Sequence, residues 1–450
     1  MEVIGLIVLL VALILLGQPL FVIMGGVTAY CFMFLGEGTF SGIVEDMYYA
    51  ADKEILLAIP LFVLAGNLMT YGSIARRLID MGKAYTAPIP SGLAISGVFA
   101  CAIFAAISGS SPVTLIAIGG IMYPALIKAG YPKKFSMGLL TSGGTLGIII
   151  PPSIPMIIYA IMVGVSVTDL FKAGIGPGLL LVTLLIIYSM VRGWKMPRGN
   201  WNRKDIFQST YKGILAVMMP VIILGGIYSG FFTATESAAI AVFYALVVEL
   251  FIHRELKWKK IPVILVESAE MLGSLLLILL LATSLNKFLT IEQVPQSLVA
   301  VMSSYISSPI AFLIGVNILL IIVGFFMDVM SAILVLAPLL APMAQSYGIN
   351  PIHFGIVMIV NLEIGYLTPP VGINLFVASG IFKEALGDVI KSVLPIIGIF
   401  LVGLMMITFI PEISLWPLEN ETSNFESLSP DLDPEPEENP GGSFLDKYDD

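Results

Sequence analysis

The chain has 450 residues and a mean hydropathy of +0.98; 58% of the residues are hydrophobic and only 12% are charged. A soluble domain carries about a quarter charged residues, so a soluble enzyme, a nucleic-acid binder and a peripheral protein are excluded. The net charge of −9 belongs to an appendage: from Pro411 onward, 12 acidic residues face the single Lys447, leaving 19 acidic and 21 basic residues elsewhere.

Apolar runs near the ~20 residues that cross a bilayer recur along the chain. They occupy 3–16, 19–36, 55–73, 91–107, 113–127, 135–164, 174–191, 214–231, 235–252, 261–285, 309–325, 332–345, 353–382 and 393–411. Backbone in lipid must satisfy its own polar groups, and these runs are too continuous for barrel strands, so they predict helices. The first run has no preceding Lys or Arg and no clear cleavage site, and reads as a retained helix. Residues 418–450 are too polar to order themselves and predict a disordered tail. Cys31 and Cys101 sit in apolar stretches, which argues against a disulfide, and His253 and His353 stand alone, so no metal-ligand set or catalytic triad can be assembled.

The basic residues predict orientation. Arg76, Arg77, Lys83, Lys128, Lys133, Lys134, Arg192, Lys195, Arg198, Arg203, Lys204, Lys212, Arg254, Lys257, Lys259, Lys260, Lys383 and Lys391 fall on one side in a single threading. That side is taken as cytoplasmic; Lys53, Lys172, Lys287 and Lys447 lie opposite, and both termini are expected outside.

A shift of 218 positions pairs the two halves without a gap. Gly97 meets Gly315, Pro124 meets Pro342, Gly130 meets Gly348, Gly147 meets Gly365, Pro151 and Pro152 meet Pro369 and Pro370, and Pro177 meets Pro395. In the threading the matched segments cross the membrane in opposite directions, as in secondary transporters whose sites lie on broken helices near midplane.

Each half holds two irregular segments. Ala106 to Pro112 reads AISGSSP; it is either the buried tip of a re-entrant hairpin or a serine turn at the surface, and charge counting returns the chain to the same face in both cases. Its partner, GFFMDVMSA from Gly324 to Ala332, carries Asp328 and Ser331. A carboxylate deep in an apolar stretch costs about 2.5–3.5 kcal/mol on insertion scales, which marks a functional candidate, while a helix-cap role is also open. The other two segments are GIIIPPS, Gly147 to Ser153, and GYLTPPVG, Gly365 to Gly372. A Pro-Pro pair removes donors and forces unwinding; the bared carbonyls suit Na⁺, with water or a Ser/Thr back-bond as the alternative. Glu363, two residues before the second break, is a further candidate lining residue. Asn67 and Asn286 are expected to make interhelical bonds, Glu236 to favour a helix start, and His353 to mark one.

Together these segments, with FTATESAAIAVFYA, resemble the large membrane (DctM-type) subunit of tripartite ATP-independent periplasmic (TRAP) transporters over about residues 1–411. The resemblance implies an all-α polytopic, inverted-repeat, elevator-type transporter with two re-entrant helical hairpins and two broken helices. Its expected parts are scaffold helices and arm (1–90), a transport-domain half with the inner hairpin (91–173), scaffold and arm (174–308), a second transport-domain half with the outer hairpin (309–392), a last scaffold helix (393–412) and the acidic tail (413–450). It further implies a bacterial inner-membrane location, no cofactor, Na⁺ as coupling ion, a small organic acid as cargo, and no nucleic acid. The implied partners are a separate four-helix DctQ-type membrane subunit and a periplasmic DctP-type binding protein. Carried over by position, sodium site 1 takes Ser108, Ser110, Gly147, Ile150 and Ser153, and site 2 takes Gly324, Gly365, Thr368 and Val371. Candidates for the substrate face are Ser108, Ser111, Ser153, Asp328 and Ser331. Ile150 stands where the register has Thr368, so site 1 lacks that hydroxyl. Two rivals remain: a stand-alone carboxylate symporter or cation antiporter of similar architecture, and an intramembrane enzyme using Asp328 and Glu363, which no nucleophile–base set supports.

Overall fold

The computed structural model describes residues 2–36, 39–196, 198–306, 308–369 and 372–418. Apart from short 3₁₀ and π turns, all regular structure among them is α-helical: α1 (Glu2–Leu15), α2 (Leu20–Tyr30), α3 (Phe40–Ala51), α4 (Ala58–Tyr71), α5 (Ile74–Thr86), α6 (Gly92–Ser108), α7 (Ser111–Thr114), α8 (Gly120–Lys128), α9 (Lys133–Ile149) and α10 (Ile154–Val163) form the first half. The second half has α11 (Val167–Arg192), α12 (Arg203–Tyr228), α13 (Ala234–Leu246), α14 (Ile261–Ile291), α15 (Val294–Tyr305), α16 (Pro309–Phe326), α17 (Val329–Ser346), α18 (Pro351–Tyr366), α19 (Ile373–Phe382) and α20 (Leu386–Phe409). Residues 412–418 are also helical, with Ser414 buried; the acidic remainder of the tail lies outside the described residues. Ten helical stretches among the described residues are long and apolar enough to cross a membrane.

The repeat seen in the glycines and prolines is a repeat of helix boundaries. From α6 to the end of α11, every boundary shifted by 218 positions falls within one residue of its counterpart between α16 and the end of α20, counting Ser111–Lys128 as one arm. The turn before each broken helix uses the same device: Gly130 and Gly348 take φ of +84° and +76°, a region costly for residues with a Cβ. The two broken helices are antiparallel. Lys133 at the start of α9 pairs with Glu384 just beyond α19, at 3.0 Å, whereas the Tyr159 hydroxyl in α10 donates to the Pro351 carbonyl at the start of α18, at 2.7 Å. Matching segments therefore meet head to tail, as an inverted duplication requires.

Polar contacts sort the two ends of the molecule. At one end Arg76 and Arg77 pair with Glu255 at 2.6 and 3.3 Å, and the Trp201 indole N–H donates to the Tyr85 carbonyl. At the other, Lys287 pairs with Asp46, the Thr235 hydroxyl donates to the Glu54 carbonyl, and Asn286 donates to the Met162 carbonyl at 3.2 Å. These contacts agree with the charge-based threading at the residues they join. Asn67 makes the expected interhelical bond, to Ser268 at 2.8 Å. Glu236 closes a capping box with Thr233 at the start of α13. His353 lies in the first turn of α18, buried beside Ser414 and the Thr408 carbonyl. Cys31 and Cys101 are buried free thiols, and among the described residues no group of His, Cys, Asp and Glu could hold a metal ion.

Candidate functional site

The first hairpin reverses at Gly109, whose φ of +58° ends α6. Its polar tip is not a surface turn: Ser108, Ser110, Ser111 and Thr114 are all buried. The tip organises itself through hydroxyls, with Ser108 Oγ 2.8 Å from Thr114 Oγ1, and Thr114 Oγ1 donating to the Ser110 carbonyl at 2.9 Å. That satisfies polar groups which would otherwise be costly in an apolar interior.

The first break lies directly against this tip. α9 stops at Ile149 because Pro151 and Pro152 cannot donate to the carbonyls of Gly147 and Ile148, and α10 starts at Ile154. A Cβ on Gly147 would stand 2.5 Å from the Ser110 carbonyl oxygen, and one on Gly109 would stand 3.0 Å from the Pro152 carbonyl oxygen. Only glycine lets these backbones approach so closely. Ser153 caps α10 by position, yet its buried Oγ has no hydrogen-bond partner among the described residues. Ser108, Ser110, Gly147 and Ser153 thus gather at one junction. The Ile150 side chain turns away toward Gly178 of α11 and an apolar cavity of about 390 Å³ walled by Phe99, Ile103, Ile175 and Val217.

The second hairpin and break repeat the arrangement with different chemistry. Asp328, which the 218-residue shift aligns with Ser110, caps α17 by accepting from the Ser331 backbone N–H at 3.0 Å and from the Ser331 hydroxyl. The helix-cap reading of this half-buried carboxylate is therefore realised. Gly324 packs on Gly365, with each hypothetical Cβ within 3 Å of the other's Cα. Beyond Gly365, the Thr368 N–H donates to the Gly365 carbonyl at 2.9 Å and its hydroxyl to the Ile364 carbonyl at 2.7 Å. A Ser/Thr back-bond thus compensates part of this break, while the Thr368 oxygen keeps its lone pairs for another ligand. Val371, with Pro370, lies outside the described residues.

The halves are tied across the centre. Asn374, at the start of α19, donates to Ser111 Oγ of the first hairpin. Asn361 of α18 donates to Asn317 of α16 at 2.7 Å, and Asn317 to Thr408 of α20 at 3.2 Å. Glu363 is wholly buried, and the Thr145 hydroxyl of α9 lies beside it. Thr145, Thr114 and Asn374 were not among the residues expected from sequence. The shift of 218 would have reached Thr145, since it aligns with Glu363. Asn374 carries no such signal; it is one polar residue in an apolar run.

The chain has known relatives in sequence and in overall fold. The sequence model for "Tripartite ATP-independent periplasmic transporter, DctM component" matches residues 7–413. The chain belongs to this family. It is 45% identical over 372 residues to a C4-dicarboxylate TRAP transporter large permease protein DctM of Pseudomonas aeruginosa, covering 82% of this chain and 87% of that one. It is 38% identical over 425 residues to a DctM of Rhodobacter capsulatus, covering 90% and 96%. An ectoine TRAP transporter large permease protein TeaC of Halomonas elongata is 33% identical over 414 residues, covering 90% and 96%. Two solved structures share the fold: the YdaH transporter of Alcanivorax borkumensis (TM-score 0.61, 14% identity, 84% of this chain and 89% of that one) and MtrF of Neisseria gonorrhoeae (0.59, 13%, 84% and 83%). The DctM assignment and the ten candidate spans make this chain a multi-pass inner-membrane transporter permease.

Proposed function

We propose that this DctM chain is the large permease subunit of a Na⁺-coupled secondary transporter. It takes up a small organic acid delivered by a periplasmic binding protein, works with a small membrane subunit, and moves its hairpin domain between faces as an elevator. One observation carries the reading: each hairpin tip lies at backbone contact with the proline break of its own half, Ser110 on Gly147 and Gly324 on Gly365. Such junctions concentrate carbonyl and hydroxyl oxygens, the ligands a hard monovalent cation prefers. The orphaned Ser153 hydroxyl supports this, because a buried oxygen without a partner is costly unless something binds it. Ser108, Ser110, Gly147, Ile150 and Ser153 would hold one ion, and Gly324, Gly365, Thr368 and Val371 the other. Asp328 and Ser331, with Ser111 and the first tip, form the cargo-facing surface. The class of cargo follows relatives named for C4-dicarboxylates and for ectoine.

Each net charge carried inward gains ~2.3 kcal/mol per 100 mV of membrane potential, so two Na⁺ with a monoanion add one such increment to the sodium gradient. Uptake of a cognate acid into proteoliposomes should require Na⁺, the binding protein and the small subunit together. Persistence in choline would remove Na⁺ coupling, and uptake by the chain alone would favour a stand-alone symporter.

A further inference from the structure

Glu363 is a wholly buried carboxylate that the reading above leaves without a task. It has no exposed surface, and neither of its oxygens has a hydrogen-bond partner among the described residues. The Thr145 hydroxyl lies beside it, but its hydrogen goes to the Ser142 carbonyl at 2.6 Å. A buried carboxylate without partners stays charged only where a positive charge lies close by. Glu363 and Thr145 are the same position in the two halves of the inverted repeat, so their meeting marks the place where the pseudo-twofold relation brings α9 and α18 together. The breaks begin just beyond them: Gly147 is two residues past Thr145, and Gly365 two residues past Glu363. At ~1.5 Å of rise per residue, both lie within about 10 Å of the carboxyl.

We propose that Glu363 is the shared counter-charge of the two cation sites, a positioning residue that holds both ions without ligating either. The inference rests on the sodium reading above and deepens it. A charge inside a low-dielectric interior acts over this distance with little screening. One carboxylate between two sites favours each ion and offsets their mutual repulsion, so filling of the sites becomes cooperative. The asymmetry of the pair has the same logic: a second carboxylate at position 145 would set two like charges side by side, and threonine stands there instead.

The test is the melting temperature of the purified full-length chain, titrated with NaCl against choline chloride at constant ionic strength. Wild type should gain stability with Na⁺ along a steep, sigmoidal curve. Glu363→Gln should raise the midpoint by about tenfold and flatten the curve, and Glu363→Asp, which keeps the charge, should stay near wild type. Moving the carboxylate across the axis, with Glu363→Thr combined with Thr145→Glu, should restore midpoint and steepness. A Glu363→Gln curve identical to wild type would overturn the proposal. So would a relocated carboxylate that fails to rescue a folded protein. A wild type indifferent to Na⁺ would instead bring down the sodium reading, and this inference with it.

Discussion

Gly365 and Gly324 meet backbone to backbone: a Cβ on Gly365 would lie 2.5 Å from Gly324 Cα, and one on Gly324 would lie 2.9 Å from Gly365 Cα. No side-chain rotation can relieve such a contact. Gly365→Ala should therefore force the second hairpin off the second break, costing about 1–3 kcal/mol by overpacking and abolishing uptake. Gly315→Ala is the control, since its Cβ would meet nothing within 4 Å. Thermal denaturation and uptake of the two variants decide it.

Glu249, fully buried, accepts from the backbone N–H groups of Ser73 and Ile74 at 3.0 and 3.1 Å, at the start of α5. It replaces the cap that Ser73 itself does not supply. Glu249→Ala should strand two buried donors and destabilise the chain by about 2–3 kcal/mol. Glu255→Ala, which removes half-exposed pairs with Arg76 and Arg77, should cost well under half of that.

The same cluster predicts a pH response. Burial, reinforced by the Arg77 charge and opposed by Glu255, pushes His253 down to about 4 from its ordinary 6.5. Glu249 lies 3.6 Å away and Ser73 Oγ 3.2 Å away. Between pH 6.5 and 4 the unfolded chain binds a proton that the folded chain refuses, so stability falls as pH drops through that window. The melting temperature of His253→Gln should decline less over it than that of wild type.

Residue periodicity and punctuation made the fold legible because membrane helices must be long and apolar, and because prolines and glycines mark where they stop. The register of Pro151 and Pro152 on Pro369 and Pro370 foretold the paired breaks, and the boundaries then agreed to one residue. Charge could not separate a buried hairpin tip from a surface turn at AISGSSP; the burial of Ser108 and Ser111 does. The role of Asp328 was open for the same reason, since a cap is defined by a bond to Ser331 N–H and not by composition. Asn374 was out of reach, because its partner Ser111 stands 263 residues away in sequence.

Asn374 and Ser111 join the helix after the second break to the tip of the first hairpin. Both are buried, and the Asn374 carbonyl oxygen has no partner of its own among the described residues. Asn374→Ala and Ser111→Ala should be non-additive, with a coupling energy of about 0.5–3 kcal/mol in a double-mutant cycle on melting. Full additivity would show that the bond carries no energy.

Variants at Ser153 and Thr368 test the proposed ion sites separately from folding. The Ser153 hydroxyl has no bond to lose among the described residues, so Ser153→Ala should leave the melting temperature in choline within about a degree of wild type. If the hydroxyl is a sodium ligand, the Na⁺ concentration for half-maximal uptake should rise several-fold. Thr368→Val removes a hydroxyl that satisfies the Ile364 carbonyl, so it should lower the melting temperature even without sodium, by the equivalent of about 1 kcal/mol, as well as weakening Na⁺ dependence. The two variants thus fail in different ways. A Ser153→Ala protein that melts early and keeps its sodium dependence would assign that oxygen to the fold and remove it from the ion site.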